Sequence, residues 1–165
     1  MPKAAVGVGG NRGDSVRICL DALDLLRKHP LITNLEASSL YRTKPVGFAE
    51  QGWFINGAAV FETDLGPPAL LDLALGIEKS FGRVRGLRWG PRTLDLDLLF
   101  YEDRRIDLPE LTVPHPLMQE RLFVLVPLAE IEPGWVHPAF GLSVRQMLDR
   151  LLQSDHRQEI HKLDI

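Results

Sequence analysis

The chain has 165 residues, of which 45% are hydrophobic and 25% charged, with 19 Lys and Arg against 22 Asp and Glu and a formal net charge of −3. That apolar fraction excludes a disordered chain, no apolar run approaches the ~18 residues of a membrane span, and a chain this long can bury roughly 70% of its unfolded surface without a disulfide or structural metal. The single Cys19 excludes an internal disulfide, and the mildly acidic balance argues against a protein that coats nucleic acid.

In chain order, residues 3 to 8 alternate as a short strand that enters a glycine-rich turn, Gly7 to Gly13. A helix follows, capped by Asp14 or Ser15; Val16, Cys19, Leu20, Leu23 and Leu26 mark its apolar stripe, and Pro30 stops it. Cys19 on that stripe is packing rather than chemistry. Residues 31 to 42 and 53 to 63 read as two strands, joined by a loop from Lys44 to Gly52 that is long for a hairpin. Pro67 and Pro68 suit a helix's first turn, Leu70, Leu73, Ala74, Ile77 and Phe81 supply its buried face, and Gly82 ends it.

Thr93 to Tyr101 alternates as a strand, and a short hairpin near Arg104 to Leu108, a proline-rich connector from Pro109 to Pro116, and helices near 117–131 and 143–152 complete the chain. The order strand, helix, strand, strand, helix, strand predicts an α+β fold: a ferredoxin-like βαββαβ core with a mainly antiparallel sheet, helices packed on it and additional C-terminal elements. With no repeat or linker-like tract, residues 1–165 are expected to form one domain. The N-terminus MPKAAVGVGGN resembles neither a signal nor a transit peptide, so a cytoplasmic location is expected.

The net charge conceals an uneven distribution. Lys79, Arg83, Arg85, Arg88 and Arg92 place five positive charges in a segment without a carboxylate, leaving −8 on the remainder. A cationic island on an anionic protein suits a small, highly charged anion better than a long polyanion. Arginine matches phosphate because its planar fork donates two parallel charge-assisted bonds and keeps its charge.

Immediately after this island come Asp95 and Asp97. Two apart in a strand, they share a face with Cα atoms about 6.6 Å apart, where two charges repel by roughly 2.5 kcal/mol at an effective dielectric near 20. Such a pair can hold Mg²⁺ ions that also bind substrate phosphates; it can also be the wet, acidic face of an ordinary strand. Asp is disfavoured in strands, and two in register beside four arginines argue for the metal.

Other residues leave both readings open. Phe54 and Asn56 share a strand face and, with Phe123, could sandwich and hydrogen-bond a flat heterocycle, or could simply be core. His115, between Pro114 and Pro116, could donate to phosphate or be a satisfied loop histidine. Trp89 could cap a site or pack. The glycine turn lacks GxGxxG spacing and no GxxxxGK[ST] occurs, which excludes a P-loop enzyme and leaves the turn a structural connection with Asn11 near a pocket.

The segment Arg88 to Asp97, RWGPRTLDLD, together with Tyr41 to Thr43, Asn56 to Val60, Gly82 to Arg85 and Leu111 to Pro116, resembles the 6-hydroxymethyl-7,8-dihydropterin pyrophosphokinase family over nearly the whole chain. The resemblance implies transfer of pyrophosphate from ATP to the pterin's hydroxymethyl group, with AMP as the other product, in folate biosynthesis. It implies that Asp95 and Asp97 hold two Mg²⁺ ions, that Arg83 and Arg92 contact the transferred phosphates, and that Arg85 and Trp89 help close the loop. It assigns the pterin to Thr43, Pro45, Val46, Gly47, Phe54, Asn56 and Phe123, and the nucleotide to Glu78, Leu111, Thr112 and His115 along with the arginines. Leu75, Glu110 and Pro116 depart from the pattern, standing where a Gln, an Arg and a Tyr can occur. The implied protein is a stand-alone monomeric enzyme acting on small molecules, with no nucleic-acid or membrane partner. Two alternatives remain: a two-metal nucleotidyltransferase, and a non-catalytic RNA-binding module on a ferredoxin-like sheet, which would want aromatics where Asp95 and Asp97 stand.

Overall fold

The computed structural model describes residues 1–45, 52–82 and 93–164. Among these described residues, eight strands and four α-helices follow one another as β1 (Lys3–Gly10), α1 (Ser15–Lys28), β2 (Ile32–Ala37), β3 (Tyr41–Thr43), β4 (Phe54–Thr63), α2 (Pro67–Ser80), β5 (Asp95–Tyr101), β6 (Ile106–Leu108), β7 (Leu111–Val113), α3 (Leu122–Ile131), α4 (Val144–Gln153) and β8 (Ile160–Lys162). The main sheet runs β5-β1-β4-β3-β8, with β2 also on β4 and every pairing antiparallel. This is the expected ferredoxin-like α+β core.

The sheet carries a core on each face. Ala4, Val6, Val8, Ala59, Phe61, Leu96 and Leu98 pack beneath α1 and α2 through Cys19, Leu23, Leu26, Leu70, Ala74 and Ile77. Ala5, Ala58, Val60, Leu99 and Phe100 pack beneath α3 and α4 through Leu125, Leu128, Val144 and Met147. The Asp14 side chain accepts from the Arg17 N–H to cap α1, Pro67 opens α2, and Gly82 follows its end at φ +79°. Such a φ costs glycine nothing and other residues strain.

The structure departs from the sequence expectations at several joints. β1 continues through Gly10, so Gly7, Gly9 and Gly10 belong to a strand and not to a turn. The reason lies across the ladder: a Cβ on Gly9 would stand 2.4 Å from Asn56 Oδ1, so glycine here allows close approach. The strand expected over 31–42 is two, because the Ser38 hydroxyl accepts from the Ala58 N–H and takes up the ladder where β2 stops. The connector expected from Pro109 contains β7, which pairs with β6. The helix expected over 117–131 is a 3₁₀ turn, Met118–Glu120, followed by α3, with Arg121 extended between them at φ −123° and ψ 110°. β8 has three residues, too few to show periodicity, and its partner strand β3 is equally short.

Candidate functional site

On one face of the sheet, pairing sets Gly7 opposite both Asp97 and Ala58, and Gly9 opposite both Asp95 and Asn56, while Thr43 sits opposite Phe54. The carboxylates of β5 and the Phe54–Asn56–Thr43 group thus lie across one strand from each other, separated by a row of glycines. A side chain larger than hydrogen at Gly7 or Gly9 would rise between them. The α3 and α4 core covers the other end of this face and leaves the glycine end open, forming a cleft of about 630 Å³. Gly7, Gly9, Thr43, Phe54, Asn56, Asp95, Asp97, His115 and Phe123 all line it. Thr43, Phe54, Asn56, Asp95, Asp97, His115 and Phe123, from five separate stretches of chain, are thereby brought together.

The polar groups of the cleft are held by specific bonds. Asn56, 7% exposed, donates from Nδ2 to the Thr43 hydroxyl at 2.7 Å. Asp95 and Asp97 are half-buried, and the N–H of the residue between them, Leu96, donates to the buried Glu78 carboxylate at 2.8 Å. Glu78 reaches β5 from α2, on the opposite side of the sheet, and pins the strand where its two aspartates begin. Burial, assisted by the Arg121 charge, pushes the His115 imidazole down to about 4, so the ring is neutral near pH 7. Its backbone N–H donates to the Leu99 carbonyl at 3.2 Å, fixing the loop against β5.

Not every expected residue reaches the cleft wall. Pro45 lines an adjoining hollow with Thr43, Lys44, Leu122 and Phe123. Leu111 is buried in the core beneath α1 and α2, and Thr112 is exposed on β7. Val46, Gly47, Arg83, Arg85, Trp89 and Arg92 lie outside the described residues. Of the departures from the family pattern, Leu75, Glu110 and Pro116 are all exposed.

Arg121 was missed by sequence reasoning. It lines the cleft beside the aspartates, its guanidinium lies 5.4 Å from the Phe123 ring centre, and burial depresses its pKa while Asp97 and Asp95 counteract that. An isolated arginine within an expected helix gives no signal; only the break at residue 121 turns it toward the carboxylates' end of the cleft. His156 and Gln158, from the C-terminal segment, also line the cleft and carried no sequence signal.

The donor set fits magnesium of a particular kind. Mg²⁺ is commonly held by one or two carboxylates plus substrate phosphates and water, and Asp95 and Asp97 supply two carboxylates on a shared, accessible face. Among the described residues no group of three or more His, Cys, Asp or Glu side chains could hold a metal.

Comparison with known proteins decides among the chemistries this cleft permits. The family model for 7,8-dihydro-6-hydroxymethylpterin-pyrophosphokinase (HPPK) matches residues 5–133. The chain belongs to the HPPK family. A relative from Synechocystis sp., named 2-amino-4-hydroxy-6-hydroxymethyldihydropteridine pyrophosphokinase, is 46% identical over 152 residues, covering 90% of this chain and 75% of the relative. One of the same name from Methylorubrum extorquens is 43% identical over 151 residues, covering 92% of this chain and 94% of its own. Among solved structures, Plasmodium falciparum HPPK-DHPS with pteroate superposes with a TM-score of 0.69 at 15% identity, which supports the fold. The chain spans about two fifths of that longer protein, 42%, with 90% of its own length covered. As an HPPK, the chain is a pyrophosphokinase of folate synthesis, and the family match favours neither the nucleotidyltransferase nor the RNA-binding alternative. Among the described residues no helix is long and apolar enough to cross a membrane.

Proposed function

We propose that this HPPK transfers the terminal pyrophosphoryl group of ATP to the hydroxymethyl oxygen of 6-hydroxymethyl-7,8-dihydropterin in the cleft between β5 and β4. The observation that carries the reading is the pairing of Asp95 and Asp97 with a glycine strand that leaves them facing the Phe54–Asn56–Thr43 group. Phosphate chemistry and heterocycle recognition thereby share one unobstructed floor.

In this reading Phe54 and Phe123 bracket the pterin while Asn56 and the backbone from Thr43 to Gly47 bond its edge. Asn56 is pre-oriented, because Thr43 already engages its amide nitrogen. That leaves the Asn56 carbonyl oxygen to accept from a pterin N–H. The pterin oxygen bonds to the β-phosphorus, the bridge between the α- and β-phosphates breaks, and AMP departs with that bridging oxygen while the hydroxymethyl proton passes to solvent. Asp95 and Asp97 would hold the two Mg²⁺ ions that accompany ATP, which offset triphosphate charge and polarise the phosphoryl oxygens. Arg83 and Arg92 bond the transferred phosphates, Arg85 and Trp89 close over them, and His115 and the exposed Thr112 belong to the nucleotide side, which the buried Glu78 and Leu111 support from within by holding β5 and β7. Arg121 adds a fixed positive charge between the two substrates, where charge develops during transfer. Positioning two bound reactants supplies much of the remaining rate, which a rigid sheet floor favours.

Purified protein with ATP, Mg²⁺ and the reduced pterin should release AMP in equal amount to pterin pyrophosphate. ADP as the nucleotide product sinks the assignment. In the same assay Asp97→Ala should lose turnover by more than about 100-fold while retaining its far-UV circular dichroism, since it removes half the carboxylate pair.

A further inference from the structure

The family match ends at residue 133, yet the segment after α4 forms part of the cleft wall through His156 and Gln158. It is tied to both sides of that cleft. On one side β8 pairs with β3, setting Ile160 opposite Thr43 and Lys162 opposite Tyr41, and the Lys44 N–H donates to the Glu159 carbonyl at 3.1 Å. On the other side Gln158, half-buried, uses both ends of its amide: Oε1 accepts from the Leu122 N–H at 2.8 Å, and Nε2 donates to the Glu120 carbonyl at 2.9 Å.

Those two backbone groups flank Arg121, and Leu122 directly precedes Phe123. Leu122 opens α3, and the residue before it supplies no side-chain cap. A helix's first N–H groups lack intrahelical partners, so Gln158 caps α3 from 36 residues away. Its own N–H donates to His156 Nδ1 at 2.9 Å, which fixes that ring beside the same wall. One side chain thus joins the strand carrying Thr43 to the helix terminus carrying Phe123.

We infer that Gln158 is a positioning residue for the reduced pterin: it sets the spacing between the Phe123 wall and the Thr43–Asn56 wall. The inference rests on the assignment of Phe123 and Asn56 to the pterin made above. A planar ring held between two aromatic walls tolerates little change in the gap, and binding constellations need their groups held within about 0.5 Å. Truncating Gln158 leaves the Leu122 N–H and Glu120 carbonyl without this partner and uncouples α3 from β8. The phosphate end, built on β5 and β1, keeps its ladder.

The test titrates wild type, Gln158→Ala and Gln158→Glu with 6-hydroxymethyl-7,8-dihydropterin in the presence of Mg²⁺ and a non-hydrolysable ATP analogue, and separately with Mg²⁺ and the analogue alone. Gln158→Ala should raise the pterin Kd about tenfold or more and move the nucleotide Kd by less than about twofold. Gln158→Glu keeps the acceptor for Leu122 but faces Glu120 with an oxygen, so its pterin Kd should fall between the two. Ser143→Ala, which removes the capping box of α4 and does not line the cleft, serves as the control for general destabilisation. Equal pterin affinity in wild type and Gln158→Ala overturns the inference, as does an equal loss in Ser143→Ala. Should Gln158→Ala fail to fold, Gln158→Glu decides by the same comparison. Wild type that binds no pterin overturns the proposed function, an outcome distinct from either.

Discussion

Burial and charge act in the same direction on His115: the ring is largely withdrawn from water and the Arg121 charge adds to the effect, which together hold it at about 4 against an ordinary value of 6.5. The unfolded chain binds a proton at this position between those two values while the folded chain does not. Stability contributed by the neutral ring is therefore intact above pH 6.5, falls as the pH drops toward 4, and changes no further below it. The whole difference is of order 3 kcal/mol, at 1.36 kcal/mol for each pKa unit. His115→Gln removes the titrating group, so its stability should depend less steeply on pH than that of wild type between 6.5 and 4. Urea unfolding at several pH values measures both slopes; parallel slopes would show that His115 titrates normally in the folded protein.

Between elements, the glycines of β1 show how a small change in one strand reaches a side chain on the next. A Cβ on Gly9 meets Asn56 Oδ1 at 2.4 Å and the Ile55 carbonyl at 3.3 Å, whereas one on Gly7 meets only Leu99 methyl and branch carbons at 3.7 Å or more. Gly9→Ala must displace Asn56, whose amide is tied to Thr43, and should cost about 1–3 kcal/mol as an overpacked site. Gly7→Ala makes ordinary contacts and should leave stability nearly unchanged. Thermal unfolding of the two variants distinguishes them, at about 2–4 °C for each kcal/mol in a chain of this size. Equal shifts would mean that Asn56 moves aside freely. The contrast also shows what could be read in advance. Asp95 and Asp97 were legible because period-two alternation gives their shared face directly, and α1 and α2 because caps and apolar stripes are local. The role of Gly9 was not, since it depends on which residue stands opposite in β4, and glycines after a short strand are equally good turn formers. Arg121 and Gln158 were hidden for a related reason: their placement follows from a helix break and a 36-residue closure that leave no periodic trace.

At the scale of the molecule, the two cores are joined through the same three strands. Ala4 and Ala5 in β1, Ala58 and Ala59 in β4, and Leu98 and Leu99 in β5 are successive residues that serve opposite cores. Loss of packing beneath α3 and α4 withdraws support from the very residues whose neighbours form the core beneath α1 and α2. The three central strands cannot stay in place for one half while they are lost to the other. We propose on this ground that the chain unfolds as one cooperative unit, as a single domain does. Leu26→Ala and Leu128→Ala delete buried side chains in different cores, at 1% and 0% exposure, and each should cost about 2–5 kcal/mol. In each variant, denaturation followed by far-UV circular dichroism should coincide with that followed by the fluorescence of Trp135, which stacks on Phe100 at 5.0 Å in the second core. To isolate that probe, Trp53 and Trp89 are replaced by Phe. If Leu26→Ala instead produced a dichroism transition that preceded the Trp135 transition, the α3 and α4 side would be surviving alone, and the shared strands would not couple the two faces.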